Sequence, residues 1–240
     1  MAAVRERPLN GAAVPHIDFD VYRIPFFLEP NYPMGEEFSE SNRERLVRKW
    51  GGPAGWEAQK QRHQLKERAL EAGIKEKFNL DRHASNTMAS HCLVQWVAKT
   101  HGLDTSEAVY DDLNRRHFIE GAKLNDRRML LDLAAAHGCD REAAAAYLDS
   151  PEGAEDVRRT YQAVQEMGIN GIPTFVIDGG ATVLGGAVHA AELERTLRQI
   201  EAEVVADPAK AERPGPVFAT LLGYGTNAAG KKSARELAFE

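Results

Sequence analysis

Cysteine is scarce in this sequence. Its 240 residues contain two, Cys92 and Cys139, which are too few and too far apart for a disulfide framework or a zinc knuckle. Folding without disulfides is typical of a reducing compartment, so the two thiols predict a cytoplasmic protein. A chain of this length can bury about 70% of its unfolded surface and needs no disulfide bond for stability.

Long apolar runs and an excess of positive charge are also missing. No stretch approaches the ~18 to 20 apolar residues of a membrane-spanning helix, and the first residues lack the apolar segment of a secretory signal. The 36 acidic residues outnumber the 30 basic ones, so the sequence has no excess of positive charge that would bind nucleic acid. The sequence shows no glycine-rich phosphate loop, Ser-His-Asp arrangement or histidine pair at metal-binding spacing. We therefore expect no membrane, nucleic-acid, metal or cofactor partner.

Two segments have the patterns of β-strands. Ile17, Phe19 and Val21 alternate with polar residues, which predicts a strand with one buried face over residues 16–24. A run rich in β-branched residues predicts a second strand at residues 172–177. An Asp-Gly-Gly turn and another short apolar run follow it, which together predict a hairpin.

Between these segments the apolar spacing is helical, from residue 39 to about residue 148. The clearest helix covers residues 86–101 and carries Cys92 on its apolar stripe, whereas a charged helix over residues 57–72 has a sparse apolar face. A last amphipathic helix covers residues 190–205. A sheet interrupted by a long helical insertion predicts an α/β protein with a thioredoxin-like fold.

The predicted domain limits follow from this order. Residues 1–38 and 151–206 form the two parts of the thioredoxin-like domain, and residues 39–150 form the helical insertion. Residues 207–240 lose all sustained periodicity, which predicts a flexible tail.

Four segments between residues 16 and 204 resemble, in the same order, segments of DsbA-like thioredoxin-fold proteins. One segment resembles the family in general: Gly168-Ile-Asn-Gly-Ile-Pro-Thr-Phe-Val-Ile177. Three other segments are similar to the FrnE-type branch of the family: Arg23-Ile-Pro-Phe-Phe-Leu-Glu-Pro30, Ser85-Asn-Thr-Met-Ala-Ser-His91 and Val183-Leu-Gly-Gly-Ala187. The resemblance implies a thiol–disulfide oxidoreductase acting on a thiol- or disulfide-containing protein or small molecule.

The same resemblance implies a substrate-facing loop. Pro173 would follow a cis peptide bond, Ile172 would offer its backbone to an extended substrate, and Thr174 would complete the loop. Without the family, the residues alone predict a trans proline that begins a strand, because about 5 to 6% of bonds before proline are cis.

The redox motif of the family is missing from these 240 residues. Members begin with a central strand that leads into Cys-x-x-Cys at a helix N-terminus, where the helix dipole stabilises the thiolate. Residues 1–15 contain neither feature, so the first strand is expected to be absent and the catalytic residues are unknown. We expect either a truncated product or a degenerate homologue that fills the gap differently.

No other side chain replaces the motif. Cys92 is expected to be a buried apolar residue, and Cys139 to be the more exposed thiol because it lies near a helix start. Asp140 beside it would raise its pKa. His91 and Asn86 are weak site candidates, whose more common roles are packing and helix capping.

Three hypotheses about function follow. The first is a DsbA-like, FrnE-type oxidoreductase domain whose redox motif is missing here. The second is an enzyme similar to glutathione S-transferase kappa or 2-hydroxychromene-2-carboxylate isomerase, which would bind glutathione. The third is a catalytically inactive module that keeps a peptide groove beside Pro173. A homodimer stays open under each of them.

Overall fold

A computed structural model describes residues 1–211 of the chain. They divide into two compact units, one formed by Phe27–Arg158 and the other by Met1–Phe26 together with the chain from Arg159 onward. The domain limits expected after residues 38 and 150 stay predictions. The predicted tail lies mainly outside the described residues, within which it begins with a 3₁₀ turn at Pro208–Ala211.

Helices dominate the described residues, and the strands are short. In chain order the elements are α1 (Ala2–Glu6), β1 (Glu40–Ser41), α2 (Asn42–Lys49), α3 (Pro53–His63), α4 (Leu65–Glu71), β2 (His83–Ala84), α5 (Met88–His101), α6 (Leu103–Arg115), α7 (Arg127–Ala136), α8 (Arg141–Asp149), α9 (Pro151–Glu166), β3 (Thr174–Ile177), β4 (Thr182–Gly185) and α10 (Ala190–Ala206). β1 pairs with β2, and β3 pairs with β4, each pair antiparallel. A turn of π-helix, Arg116–Glu120, extends α6.

Side-chain caps fix where two helices of the Phe27–Arg158 unit begin. The Asp126 carboxylate accepts from the amide of Met129 at 2.9 Å, and α7 starts at the next residue. The Asp140 carboxylate accepts from the amide of Ala143 at 2.7 Å and starts α8 in the same way. Each cap satisfies an amide that a helix N-terminus leaves without a partner.

The core of this unit lies among α5, α6, α7 and α8. Its fully buried residues include Leu93, Val97, Val109, Leu130 and Leu133. The apolar stripe predicted on the helix over residues 86–101 is confirmed, because its members are all buried: Met88, Cys92, Leu93, Trp96 and Val97.

The single helix predicted over residues 57–72 is wrong. The chain forms α3 and α4 instead, and Gln64 between them adopts a left-handed conformation with φ of 45°. Few apolar residues are available to hold one straight helix against the core, since Leu65 and Leu70 are both more than half exposed.

The strand predicted over residues 16–24 is also wrong, although the predicted alternation of buried and exposed side chains is present. Residues 17–27 carry neither helix nor strand, yet Ile17, Phe19 and Val21 are half-buried while Asp18 and Asp20 are exposed. A strand needs a backbone partner, and none of the described residues pairs with this segment. The burial pattern is therefore present without the hydrogen-bond ladder.

A small apolar cluster organises the other unit. Val164 on α9 is buried, and the side chains packed against it come from the segment before Phe27, from the loop after α9 and from β3: Tyr22, Ile24, Phe26, Ile169 and Val176. The ring of Phe26 also meets that of Tyr161 edge-on, with centroids 5.7 Å apart. This cluster places β3 against the C-terminal part of α9.

The first residues of the chain are anchored to α10. The carboxylate of Glu201, which is fully buried, accepts from the amide of Leu9 at 2.9 Å and from the guanidinium of Arg198 at 2.6 Å. Arg198 in turn donates to the carbonyl of Ala3 at 2.8 Å. A buried carboxylate is tolerated because both its oxygens are satisfied.

Candidate functional site

The loop between α9 and β3 begins at a left-handed glycine. Gly168, with φ of 75°, ends α9, and the amide of Ile169 donates to the carbonyl of Val164 at 3.2 Å. The side-chain amide of Asn170 then donates to the carbonyl of Gly168 at 3.0 Å. These contacts fix the direction in which the chain leaves the helix.

Two further hydrogen bonds hold the second half of this loop. The Thr174 hydroxyl donates to the carbonyl of Gly171 at 2.7 Å, and the amide of Gly186 donates to the carbonyl of Pro173 at 2.9 Å. The peptide bond between Ile172 and Pro173 is cis. The loop is therefore held at both ends, by α9 and by the β3–β4 hairpin.

The register of the hairpin determines which backbone groups point away from it. Pro173 faces Gly186 in a hydrogen-bonded position, and such positions alternate along an antiparallel pair. Phe175 and Ile177 therefore bond to β4, while the amides and carbonyls of Thr174 and Val176 point to the opposite edge. No strand among residues 1–211 pairs with that edge.

Ile172 is the most exposed large apolar residue of the loop. Its side chain is 49% exposed, and Pro173 and Gly171 beside it are exposed as well. Within the part of the chain that the structure describes, neither the amide nor the carbonyl of Ile172 has a hydrogen-bond partner. The loop thus offers an apolar side chain and open backbone groups together, beside the open edge of β3.

Both cysteine thiols are buried. Cys92 lies on α5, and burial raises the pKa of its thiol to about 11 despite an opposing contribution from Arg158. Neither thiol lies at a helix N-terminus that could stabilise a thiolate, since Cys139 precedes the cap of α8 and Cys92 is inside α5.

The expectation that Cys139 is the more exposed thiol is wrong. Both cysteine residues are only 5% exposed, and the amide of Cys139 donates to the carbonyl of Ala134 at 3.0 Å. That bond folds the residue back against α7, so burial raises the pKa of its thiol. The Asp140 carboxylate expected to raise it is engaged as the cap of α8 instead.

The two weak candidates belong to the Phe27–Arg158 unit. The Asn86 side-chain oxygen accepts from the amide of Met88 at 2.8 Å, and its amide donates to the carbonyl of Tyr32 at 2.8 Å. The His91 ring meets the ring of Phe27 edge-on, with centroids 5.2 Å apart. Capping and packing contacts account for both side chains.

Residues 1–211 contain no group of three or more His, Cys, Asp or Glu side chains that could hold a metal ion. In the same range no helix is both long and apolar enough to cross a membrane.

Of the residues that shape the loop, the sequence singled out Thr174 through the family resemblance but not the roles of Asn170 and Gly186. The amide of Gly186 and the side chains of Asn170 and Thr174 fix its form, yet each resembles an ordinary turn residue in the sequence. The available signal was the Gly185-Gly186 pair, where a missing Cβ lets the backbone turn back toward Pro173.

Comparison with protein families identifies this arrangement. The model of the DSBA-like thioredoxin domain matches residues 8–198, well over half of the chain. The chain belongs to this family. The match includes both the loop at Pro173 and the helical block, so the fold is the thioredoxin-like fold of DsbA proteins with a large helical part.

A solved structure supports the same assignment. The probable DsbA oxidoreductase of Streptomyces coelicolor is 29% identical to this DsbA-like chain, covers 72% of each chain and superimposes with a TM-score of 0.62. The comparison with curated proteins found no match. By family resemblance the function is that of a thiol–disulfide oxidoreductase, whose redox motif is missing from the 240 residues.

Proposed function

We propose that this DsbA-like chain is of the FrnE type and binds an extended, thiol- or disulfide-containing polypeptide at the loop formed by Ile172, Pro173 and Thr174. The observation that carries the proposal is the exposed Ile172 with open backbone groups, next to the open edge of β3. An extended peptide binds such an edge through main-chain hydrogen bonds, and a neighbouring apolar contact adds specificity.

Substrate binding and disulfide exchange are separate steps with different requirements. Exchange needs a thiolate that can reach the substrate disulfide. Cys92 and Cys139 are both buried with raised thiol pKa values, so neither supplies one. We infer that the 240-residue chain binds its substrate without exchanging disulfides. Its two free, reduced cysteines support the cytoplasm as the compartment.

Replacing Ile172 by Asp is expected to weaken peptide binding about tenfold or more, because a charge would occupy the apolar contact of the loop. Reduced and carboxymethylated insulin B chain is a suitable probe, since it is extended and cannot form disulfides. Titration calorimetry of the 240-residue chain would measure the dissociation constant, and circular dichroism would verify that the variant is folded.

Val183→Asp is the matched control. Val183 is 56% exposed on β4 of the same hairpin, so the charge is added outside the loop, and binding should stay within about twofold of the unchanged chain. Equal losses in the two variants, or no loss in Ile172→Asp, would contradict the assignment of the loop. Retention on immobilised glutathione, competed by free glutathione, would support the glutathione-binding alternative instead.

A further inference from the structure

A buried histidine lies in the π-helical turn that extends α6. His117 is 8% exposed, and its Nδ1 lies 2.8 Å from the carbonyl oxygen of Ala122, while its Nε2 lies 3.2 Å from Nε of Arg82. A carbonyl only accepts, so Nδ1 carries the proton and Nε2 accepts from the guanidinium. This pair of bonds requires the neutral imidazole.

Arg82 connects this histidine to the segment that leads into β2. Its Nη1 donates to the carbonyl of Asn79 at 2.8 Å, and its guanidinium carbon lies 4.8 Å from the ring centroid of Phe118. The carbonyl of Arg82 accepts from the amide of Asn42 at the start of α2, at 3.1 Å. One arginine therefore joins three elements of the Phe27–Arg158 unit.

The same segment touches the π turn a second time. The amide of Asn79 donates to the carbonyl of Phe118 at 2.7 Å, and the rings of Phe78 and Phe118 meet edge-on at 6.1 Å. Residues 77–81 also line, together with Arg43, a surface cavity of ≈ 390 Å³. The contacts of Arg82 thus hold one wall of that cavity.

The charges around His117 oppose its protonation. The positive charge of Arg82 disfavours protonation of the imidazole. Burial and the positive charge of Arg45 on α2 in turn lower the pKa of Arg82. Two carboxylates of the same element as His117 are engaged by other partners: Asp112 pairs with Arg115, Arg116 and His137, and Glu120 pairs with Arg115. Burial, with a further contribution from Arg82, lowers the pKa of His117 below its ordinary value, although the hydrogen bond to the Ala122 carbonyl acts in the opposite direction.

We propose that Arg82 and His117 form an acid-released latch that holds residues 77–82 on the π turn. Protonation of Nε2 replaces the acceptor of the Arg82 bond by a donor and sets two cations against each other inside the protein. The bond is then lost, and the contacts of the segment with the π turn are reduced to the Asn79 amide, the Phe78 ring and the guanidinium of Arg82 over the Phe118 ring. Acid would therefore loosen this wall of the cavity before the rest of the unit.

The pH range in which the latch opens follows from the linkage between protonation of His117 and folding. The pKa of His117 is lower in the folded protein than in the unfolded chain. Its contribution to stability is complete above the ordinary histidine pKa of about 6.5 and is lost as the pH falls through the lower value of the folded state. The latch is closed near neutral pH and opens on the acid side.

Amide hydrogen exchange of the 240-residue chain tests the latch. After correction for the intrinsic exchange rate, peptides covering residues 77–84 should lose protection about tenfold or more between about pH 7.5 and pH 5, the size expected for a lost buried hydrogen bond. Peptides from α7 should keep theirs, because its core residues Leu130 and Leu133 are fully buried.

Two variants of His117 complete the experiment. His117→Gln keeps an acceptor that does not titrate, so protection of residues 77–84 should become independent of pH. His117→Phe keeps a ring but has no acceptor for Arg82, so protection of residues 77–84 should be low at both about pH 7.5 and about pH 5. An unchanged response to pH in His117→Gln would overturn the proposal, and so would equal protection of the unchanged protein at both values.

Discussion

Cys92 is expected to react at least about a hundredfold more slowly with an aromatic disulfide reagent in the folded protein than in concentrated urea. With a thiol pKa of about 11, only about 0.1% of the sulfur is thiolate at about pH 8. An ordinary cysteine with a pKa of about 8.5 is roughly one quarter thiolate under the same conditions. Burial at 5% exposure adds a requirement for local opening before the reagent can enter.

The two thiols can be followed separately by absorbance. Cys139→Ala leaves Cys92 as the single thiol, and Cys92→Ala leaves Cys139. Because the thiolate is the reacting form, the rate for Cys92 should rise about tenfold for each pH unit until the pH approaches its pKa of about 11. Rapid, stoichiometric labelling of the folded Cys139→Ala variant would show that the thiol is accessible and would contradict its placement inside the helical core.

Leu130→Ala is expected to reduce the free energy of unfolding by about 2–5 kcal/mol. Leu130 on α7 is completely buried in the cluster that it shares with Leu93, Val97 and Val109, so the substitution removes apolar contacts and leaves a cavity. The change should appear in urea denaturation as a lower midpoint with an unchanged slope.

Leu70→Ala is the matched control for that substitution. Leu70 on α4 is 56% exposed, and the same loss of side-chain atoms should change the free energy of unfolding by less than about 0.5 kcal/mol. Similar losses in the two variants would mean that the cluster around Leu130 is not the core that stabilises the helical unit.

Local patterns predicted much of this fold. The stripe that includes Leu93 and Val97 has the helical period, so the burial of α5 could be read from spacing alone. The alternation of Ile17 and Phe19 correctly predicted which side chains are half-buried and which are exposed. It did not predict pairing, because a ladder depends on a partner strand that the pattern of one segment cannot report.

Local patterns could not predict contacts between residues that lie far apart in the sequence. Arg82 meets His117 across 35 positions, and Asn86 meets the carbonyl of Tyr32 across 54. No local period specifies these bonds, since they depend on how helices and loops pack in three dimensions. The loop at Pro173 was found by its resemblance to a family, whereas the bond from Gly186 that holds it required the structure.

We propose that the 240-residue chain binds polypeptide at the Pro173 loop but exchanges no disulfide. The most direct test is the reduction of insulin by dithiothreitol in the presence of the chain, followed by acid quenching and mass spectrometry of the released insulin chains, with Cys92→Ala/Cys139→Ala as the control. We expect the unchanged chain and the double variant to give the same rate as reductant alone, while both still bind carboxymethylated insulin B chain. A rate above that baseline which the double variant loses would contradict the claim.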